Sequence, residues 1–415
     1  MISATPSAEI LLVQTIVQLI VVLAAARLLG SIFQRLGQPQ VCGEIAAGLI
    51  LGPSLFGRLA PVSFHWVFSP DVAPFFSLLS QIGLIILMFL IGLEFDFLHL
   101  RGRGRQALSI SLMGIAVPFA LGLLLSRFIY SYVAQGINPV GFSLFMATAL
   151  SITAMPVLGR IMTELNIHRS MIGSLTMASA AIGDAAGWTI LALVSATVRS
   201  SFSVSQSAIM VAEIAAYAAF TMWVTRPLLK IFARRALKRD GADISTTTLT
   251  IVILVVFASA AITSRIGIFA VFGAFLIGAV LSEEEEFKNA VLARLRDFTT
   301  LFFLPVFFAN TGLRTDVGSI QGVMMWSLCL LVLAAAIVGK LGGCSIGARW
   351  SGLPWRDSVV IGILMNTRGL MELVAINIGY ELGVIPRSVF FMLVLMAVVT
   401  TYMTTPLLRL AGRFE

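Results

Sequence analysis

The stretch MASAAIGDAAGWTILALV, residues 177–194, is apolar over nearly the length a bilayer crossing needs, about 20 residues, yet it carries one carboxylate, Asp184, among small neighbours. A charge at that depth costs about 2.5–3.5 kcal/mol on insertion scales. Nothing else in the stretch repays this cost, so Asp184 has to face an aqueous cavity or a partner charge. The segment reads as a membrane helix on an ion pathway, with a structural salt bridge to Lys340 as the plainer alternative.

The rest of the chain agrees. Of its 415 residues 58% are hydrophobic and 12% charged, and the mean hydropathy is +0.98. A soluble domain averages about 45–50% apolar and about 25% charged. Apolar runs recur from end to end, and thirteen candidate spans can be drawn, near 9–30, 39–57, 75–95, 106–132, 140–161, 170–197, 204–231, 246–264, 266–284, 298–313, 322–347, 356–380 and 389–408. The runs are continuous rather than alternating, which excludes a β-barrel. The expected fold is therefore an all-α polytopic membrane protein. Cys42, Cys329 and Cys344 lie far apart, so neither a zinc site nor a disulfide framework is indicated. The first basic residue, Arg27, falls inside or after the first apolar run, so no cleaved leader is expected.

The net charge of +8 does not point to nucleic acid, because the basic residues sit in short loops between apolar runs. With the N-terminus outside, 19 of the 28 Lys and Arg fall in cytoplasmic loops and six on the opposite side, with Arg27, Lys340 and Arg368 left in the membrane. The C-terminus is then cytoplasmic, with about seven residues after the last span, so no soluble regulatory domain is expected within 1–415. Thirteen spans divide as six, a linker and six. That gives a first repeat over 1–197, a linker helix and cytoplasmic loop over 198–245, and an inverted second repeat over 246–415. GEIAAGLILGPSL (43–55) and FGAFLIGAVL (272–281) are both short and Gly-rich, while ATALSITAMPVLGR (147–160) and ILMNTRGLMELV (363–374) both interrupt an apolar helix. Inverted repeats with paired discontinuous helices are a signature of secondary transporters.

Few polar residues lie within spans, and they are the candidates. Ser151, Thr153 and Pro156 break the fifth span, freeing carbonyls and hydroxyls for a cation unless they only re-satisfy their own helix. In the twelfth, Asn366, Thr367, Arg368 and Gly369 form a polar block, and Arg368 and Glu372, four apart on one helical face, are expected to neutralise each other. Lys340 has glycine neighbours that let it point inward, where charge balance is its expected duty. Glu44 and Glu213 also fall in spans, Glu283–Glu286 read as a solvated cytoplasmic run able to bias a pH response, and His99 and His168 are loop histidines. No nucleophile–base pair or metal-ligand spacing is present, so the protein is not expected to be an enzyme and no cofactor is expected.

GQPQVCGEIAAGLILGPSLFG (37–57), IGLEFD (91–96), ALSITAMPVLGRIM (149–162), AIGDAAGW (181–188), FFLPVFFANTGLRTD (302–316) and MNTRGLMELVAINIGYELGVI (365–385) resemble the membrane domain of monovalent cation:proton antiporters, nearest the branch of the bacterial Kef-type and plant CHX-type exchangers. The resemblance implies a core and a dimerisation domain, two crossing broken helices and elevator movement, in a homodimer within a bacterial inner membrane. Ser151 to Ala154, with Ile152 between, and Asn366 to Arg368 would be the crossings. Asp184 would take the ion-binding role as sole carboxylate, with Gly183 where electrogenic members carry a second Asp, and Lys340 would be the family's lysine. The implied function is exchange of sodium or potassium for protons, one to one and electroneutral. A ligand-gated potassium efflux channel and an inverted-repeat solute symporter remain as rivals.

Overall fold

The computed structural model describes residues 8–38, 40–94, 104–153, 155–164, 167, 170–199, 204–241, 243–266 and 269–411. Ala154, His99, His168 and the Phe95–Asp96 end of IGLEFD lie outside them.

The regular structure among the described residues is entirely helical. The first part comprises α1 (Ala8–Arg35), α2 (Gln40–Leu51), the short α3 (Phe56–Leu59) and α4 (Pro61–Val67), α5 (Ala73–Glu94), α6 (Gly104–Val133), α7 (Pro139–Ser151), α8 (Met155–Glu164) and α9 (Met171–Arg199). Next come α10 (Val204–Phe220) and α11 (Arg226–Asp240), joined through a π-helical turn at Thr221–Thr225. The remainder comprises α12 (Thr246–Ile266), α13 (Ala270–Leu281), α14 (Glu285–Phe298), α15 (Leu304–Arg314), α16 (Gly322–Ile337), α17 (Gly343–Trp350), α18 (Trp355–Met365), α19 (Leu370–Glu381) and α20 (Arg387–Leu410). Further π-helical turns, Thr299–Phe303 and Val338–Gly342, join α14 to α15 and α16 to α17.

Among the described residues, eight helical stretches are individually long and apolar enough to cross a membrane, and the bent pair α18/α19 makes a ninth. The other expected spans fall on shorter helices: α2, α7 with α8, α13, and α15 with its π-helical turn. Leu12, Ile16, Ile20, Leu254 and Leu330 lie exposed on α1, α12 and α16. Outward apolar faces of this kind suit a hydrocarbon solvent and would be costly in water.

In a bilayer, helices gain little from hiding apolar surface and associate by close packing instead. Glycine makes that possible at two crossings. A Cβ on Gly312 of α15 would lie within 2.5 Å of the backbone of Gly48 in α2, and one on Gly278 of α13 would lie 2.8 Å from Gly92 Cα in α5. The two pairs are joined to each other where α15 packs on α5.

Candidate functional site

α7 begins where Asn138 accepts hydrogen bonds from the amides of Val140 and Gly141, and it ends abruptly at Ser151, with Ile152 extended. The four last carbonyls of a helix have no partner within it, and here they end deep in the protein. All four are nevertheless satisfied. Thr148 accepts from the Ile152 amide at 3.2 Å and from the Ser151 hydroxyl at 2.8 Å. Arg368 donates to Ala149 at 2.8 Å and to Leu150 at 2.5 Å. Lys340 donates to Ser151 at 2.5 Å and to Gly114 of α6 at 2.9 Å. The negative end of the α7 dipole thus meets two cations, the favourable arrangement for a helix C-terminus.

Lys340, Arg368 and Glu372 are fully buried. Arg368 donates to Glu372 at 2.9 Å one helical turn on, as their spacing predicts. The second break, Asn366–Gly369, separates α18 from α19. The Thr401 hydroxyl of α20 donates to the Arg368 carbonyl, the Thr367 and Thr404 hydroxyls lie 3.1 Å apart, and the Asn366 amide reaches Met403 Sδ at 3.8 Å. Sequence reasoning missed these supports, although the cluster Thr400, Thr401, Thr404 and Thr405 was a visible signal.

α9 runs alongside the first break. Asp184 is 3% exposed and lies within Coulombic reach of Lys340. A Cβ on Gly187 would lie 3.3 Å from the Ile152 side chain, and one on Gly183 would sit 3.8 Å from Thr153 Oγ1. The structure therefore gathers Asp184, Gly183, Thr153, Ser151, Lys340, Arg368 and Glu372 around the two breaks. Glu44 is buried on α2, whereas Glu213 is exposed on α10, outside this cluster.

Two cavities flank the core. One of about 480 Å³ is walled by Trp188, Phe272 and Phe275 and also lined by Ala185, Arg226 and Glu283. Another of about 270 Å³ lies among α5, α13, α15 and α19. At its edge Arg314 bonds Glu381 at 3.0 Å, Asn377 at 3.2 Å and Ser77 at 3.0 Å. The sequence held no signal for that cluster, because its members come from three distant runs.

The family model described as sodium/hydrogen exchanger, transmembrane, matches residues 20–410. The chain belongs to the sodium/hydrogen exchanger family. With its long apolar helices it is an integral membrane protein of that family. It is 38% identical over 391 residues to the Na(+)/H(+) antiporter NhaS4 of Synechocystis, covering 94% of this chain and 95% of that protein. Cation/H(+) antiporter 17 of Arabidopsis thaliana is 38% identical over 94% of this chain and 47% of its own length. K(+)/H(+) antiporter 1 of Saccharomyces cerevisiae is 31% identical over 95% and 46%. The chain thus spans about half the length of these plant and yeast relatives. Among solved structures, the sodium proton antiporter MjNhaP1 of Methanocaldococcus jannaschii superposes with a TM-score of 0.71, covering 97% of this chain and 99% of that one at 16% identity, a likeness of fold.

Proposed function

We propose that this exchanger swaps one monovalent cation for one proton by alternating access, with Asp184 as the single carboxylate that either of them occupies. The observation that carries the reading is the burial of Asp184 against the break between α7 and α8, where the carbonyls at the end of α7 are already held by Lys340 and Arg368. An ionised carboxylate is costly to carry through an occluded state, and either a proton or a cation neutralises it. Movement is thereby coupled to occupancy. Thr153 and the backbone of the break complete the cation's oxygen shell, with Ser151 close by. Because Lys340 and Arg368 keep fixed charge and Arg368 is balanced by Glu372, the cycle is electroneutral.

The elevator form of this cycle is supported by the two cavities, one lined by Ala185 and Trp188 of the Asp184 helix and one lined by Glu381. Inverted repeats are supported by packing that recurs at one offset between α1·α2 and α12·α13, and at a shorter one between α5 and α15. A Cβ on Gly43 would meet the Leu29 carbonyl oxygen at 2.4 Å, and one on Gly273 would meet the Ser259 carbonyl oxygen at 2.4 Å. A Cβ on Gly48 would meet the Phe308 carbonyl oxygen at 2.4 Å, and one on Gly278 that of Phe89 at 2.2 Å. The pairs α1·α2 and α12·α13 are thus counterparts, as are α2·α15 and α13·α5. Thirteen crossings with the N-terminus outside, in a homodimer in a bacterial inner membrane, complete the reading. Sodium and potassium are its candidate cations.

The test uses proteoliposomes with a luminal pH dye, clamped at zero voltage, with sodium or potassium added outside. Cation-driven alkalinisation of the lumen is expected, and it should be lost in Asp184→Asn while that variant still folds. A rise in proton concentration should raise the apparent KM for the cation and leave the maximal rate unchanged. Proton flux with neither ion, or full activity in Asp184→Asn, would sink the reading and favour a channel or symporter.

A further inference from the structure

Gly183 precedes Asp184 on α9, and the space where its side chain would begin is walled by two hydroxyls from different helices. A Cβ there would lie 3.5 Å from Ser111 Oγ of α6 and 3.8 Å from Thr153 Oγ1 in the break after α7. Ser111 is 1% exposed and Thr153 is fully buried. Neither hydroxyl oxygen has a hydrogen-bond partner among the described residues. Most neighbouring buried hydroxyls behave otherwise: Thr148, Thr176, Ser179 and Thr401 each donate to a carbonyl one turn back on their own helix. Ser195, Thr221 and Ser345 are also unpartnered. Ser111 and Thr153 differ from these in bordering the same glycine, which precedes a buried carboxylate.

Buried polar groups normally find partners, so a matched pair without any calls for a ligand. The lone pairs of two neutral hydroxyls and one carboxylate suit a hard cation, which takes oxygen donors. We propose that Ser111 is a ligand of the transported cation, contributed by α6 opposite Thr153, and that the missing side chain at Gly183 sizes the site for potassium in preference to sodium. This rests on the exchange reading of Asp184. Selectivity between alkali ions follows cavity size and the strength of the coordinating field. One carboxylate with neutral hydroxyls makes a weaker field than two carboxylates would, and the open flank at Gly183 keeps the shell wide. Both features favour the larger ion, which is easier to strip of water.

The proposal is tested in proteoliposomes by measuring the KM for potassium and for sodium at one pH, in the wild type and in Ser111→Ala, Ser111→Thr and Gly183→Ala. The wild type should show the lower KM for potassium. Ser111→Ala should raise the potassium KM by about tenfold, the loss expected for one polar ligand to a charged group, and Ser111→Thr should restore it. Gly183→Ala adds a methyl at ordinary contact distance, so the helix need not move, and it should shift the preference towards sodium. Ser111→Cys, similar in shape but a poor donor to hard cations, serves if alanine fails to fold. A lower KM for sodium in the wild type, an unchanged potassium KM in both Ser111→Ala and Ser111→Cys, or an equal rise for both ions would overturn the proposal. Exchange with neither ion in the wild type would instead be a failure of the antiport reading.

Discussion

Lys340 and Ser151, 189 positions apart, meet with the buried ammonium 2.5 Å from the carbonyl oxygen. The contact fixes the end of α7 at the point where the chain turns past Asp184. It also explains why a cation is tolerated at this depth. Its two recorded acceptors are backbone carbonyls, Ser151 and Gly114, so the charge is spread over dipoles and does not depend on a single carboxylate.

Lys340→Ala leaves both carbonyls unsatisfied, at a cost of about 1–3 kcal/mol each. A clear drop in melting temperature is expected. Lys340→Gln keeps a donor and should recover part of that loss without restoring the charge. If the charge matters to exchange, both variants will alter its pH profile while leaving the sodium/potassium ratio unchanged. An unchanged profile in Lys340→Gln would reduce the residue to scaffolding.

Arg368 holds three partners, the carbonyls of Ala149 and Leu150 and the Glu372 carboxylate. Removing one member of a buried ion pair costs about 3–5 kcal/mol. Glu372→Gln is expected to destabilise by somewhat less, because Arg368 keeps its carbonyls. Arg368→Ala should destabilise more, and the double variant should remain near Arg368→Ala. Thermal unfolding of the four proteins in detergent measures the coupling, and full recovery in the double variant would contradict the carbonyl contacts.

Glu283 lies in the turn after α13, where Arg226 bonds it at 2.6 Å and Lys230 pairs with it as well. Burial pushes its carboxyl up, but hydrogen bonds from the two cations outweigh burial and hold it below the ordinary value of 4.5. A depressed folded value stabilises fully above the ordinary one and loses that contribution as pH falls through the lower folded value. Glu283 therefore stays ionised across neutral pH. Glu283→Gln should leave the shape of the exchange profile between about pH 6 and 9 unchanged while lowering thermal stability. A shifted profile would give this carboxylate the pH-responsive role that its acidic run first suggested.

Gly312→Ala would drive a methyl into the backbone of Gly48, at 2.0 Å from its carbonyl carbon. No side-chain rotation relieves that overlap, so α2 and α15 must separate. The variant should lose folded yield, whereas Gly104→Ala, with open space around it, should behave as wild type. Comparing their elution profiles in detergent checks both.

Much of this architecture was legible because membrane helices announce themselves by length and apolarity, and because breaks need unusual residues. The Arg368–Glu372 pair followed from a spacing of four, and the inward course of Lys340 from its glycines. The capping of Ala149 and Leu150 by Arg368 was not legible, since the partners are 219 and 218 positions apart and any apolar helix could have ended there. Ser111 was hidden for the same reason: a serine near the start of an apolar run carries no mark of what another helix will place beside it. The expected fifth and twelfth crossings, marked as broken by their polar interruptions, are each two helices.

The π-helical turn at Val338–Gly342 gives Lys340 its aim. Such a turn accommodates one residue more than an α-helical turn, and each residue advances an α-helix by about 100°. Deleting Val338 would let α16 and α17 join as one regular helix, swinging every later residue around the axis relative to the residues before it. The ammonium would then leave the end of α7 with its chemistry untouched. In this protein the lysine's position is written as a surplus in chain length, so its family resemblance can survive intact in a sequence whose register has lost it.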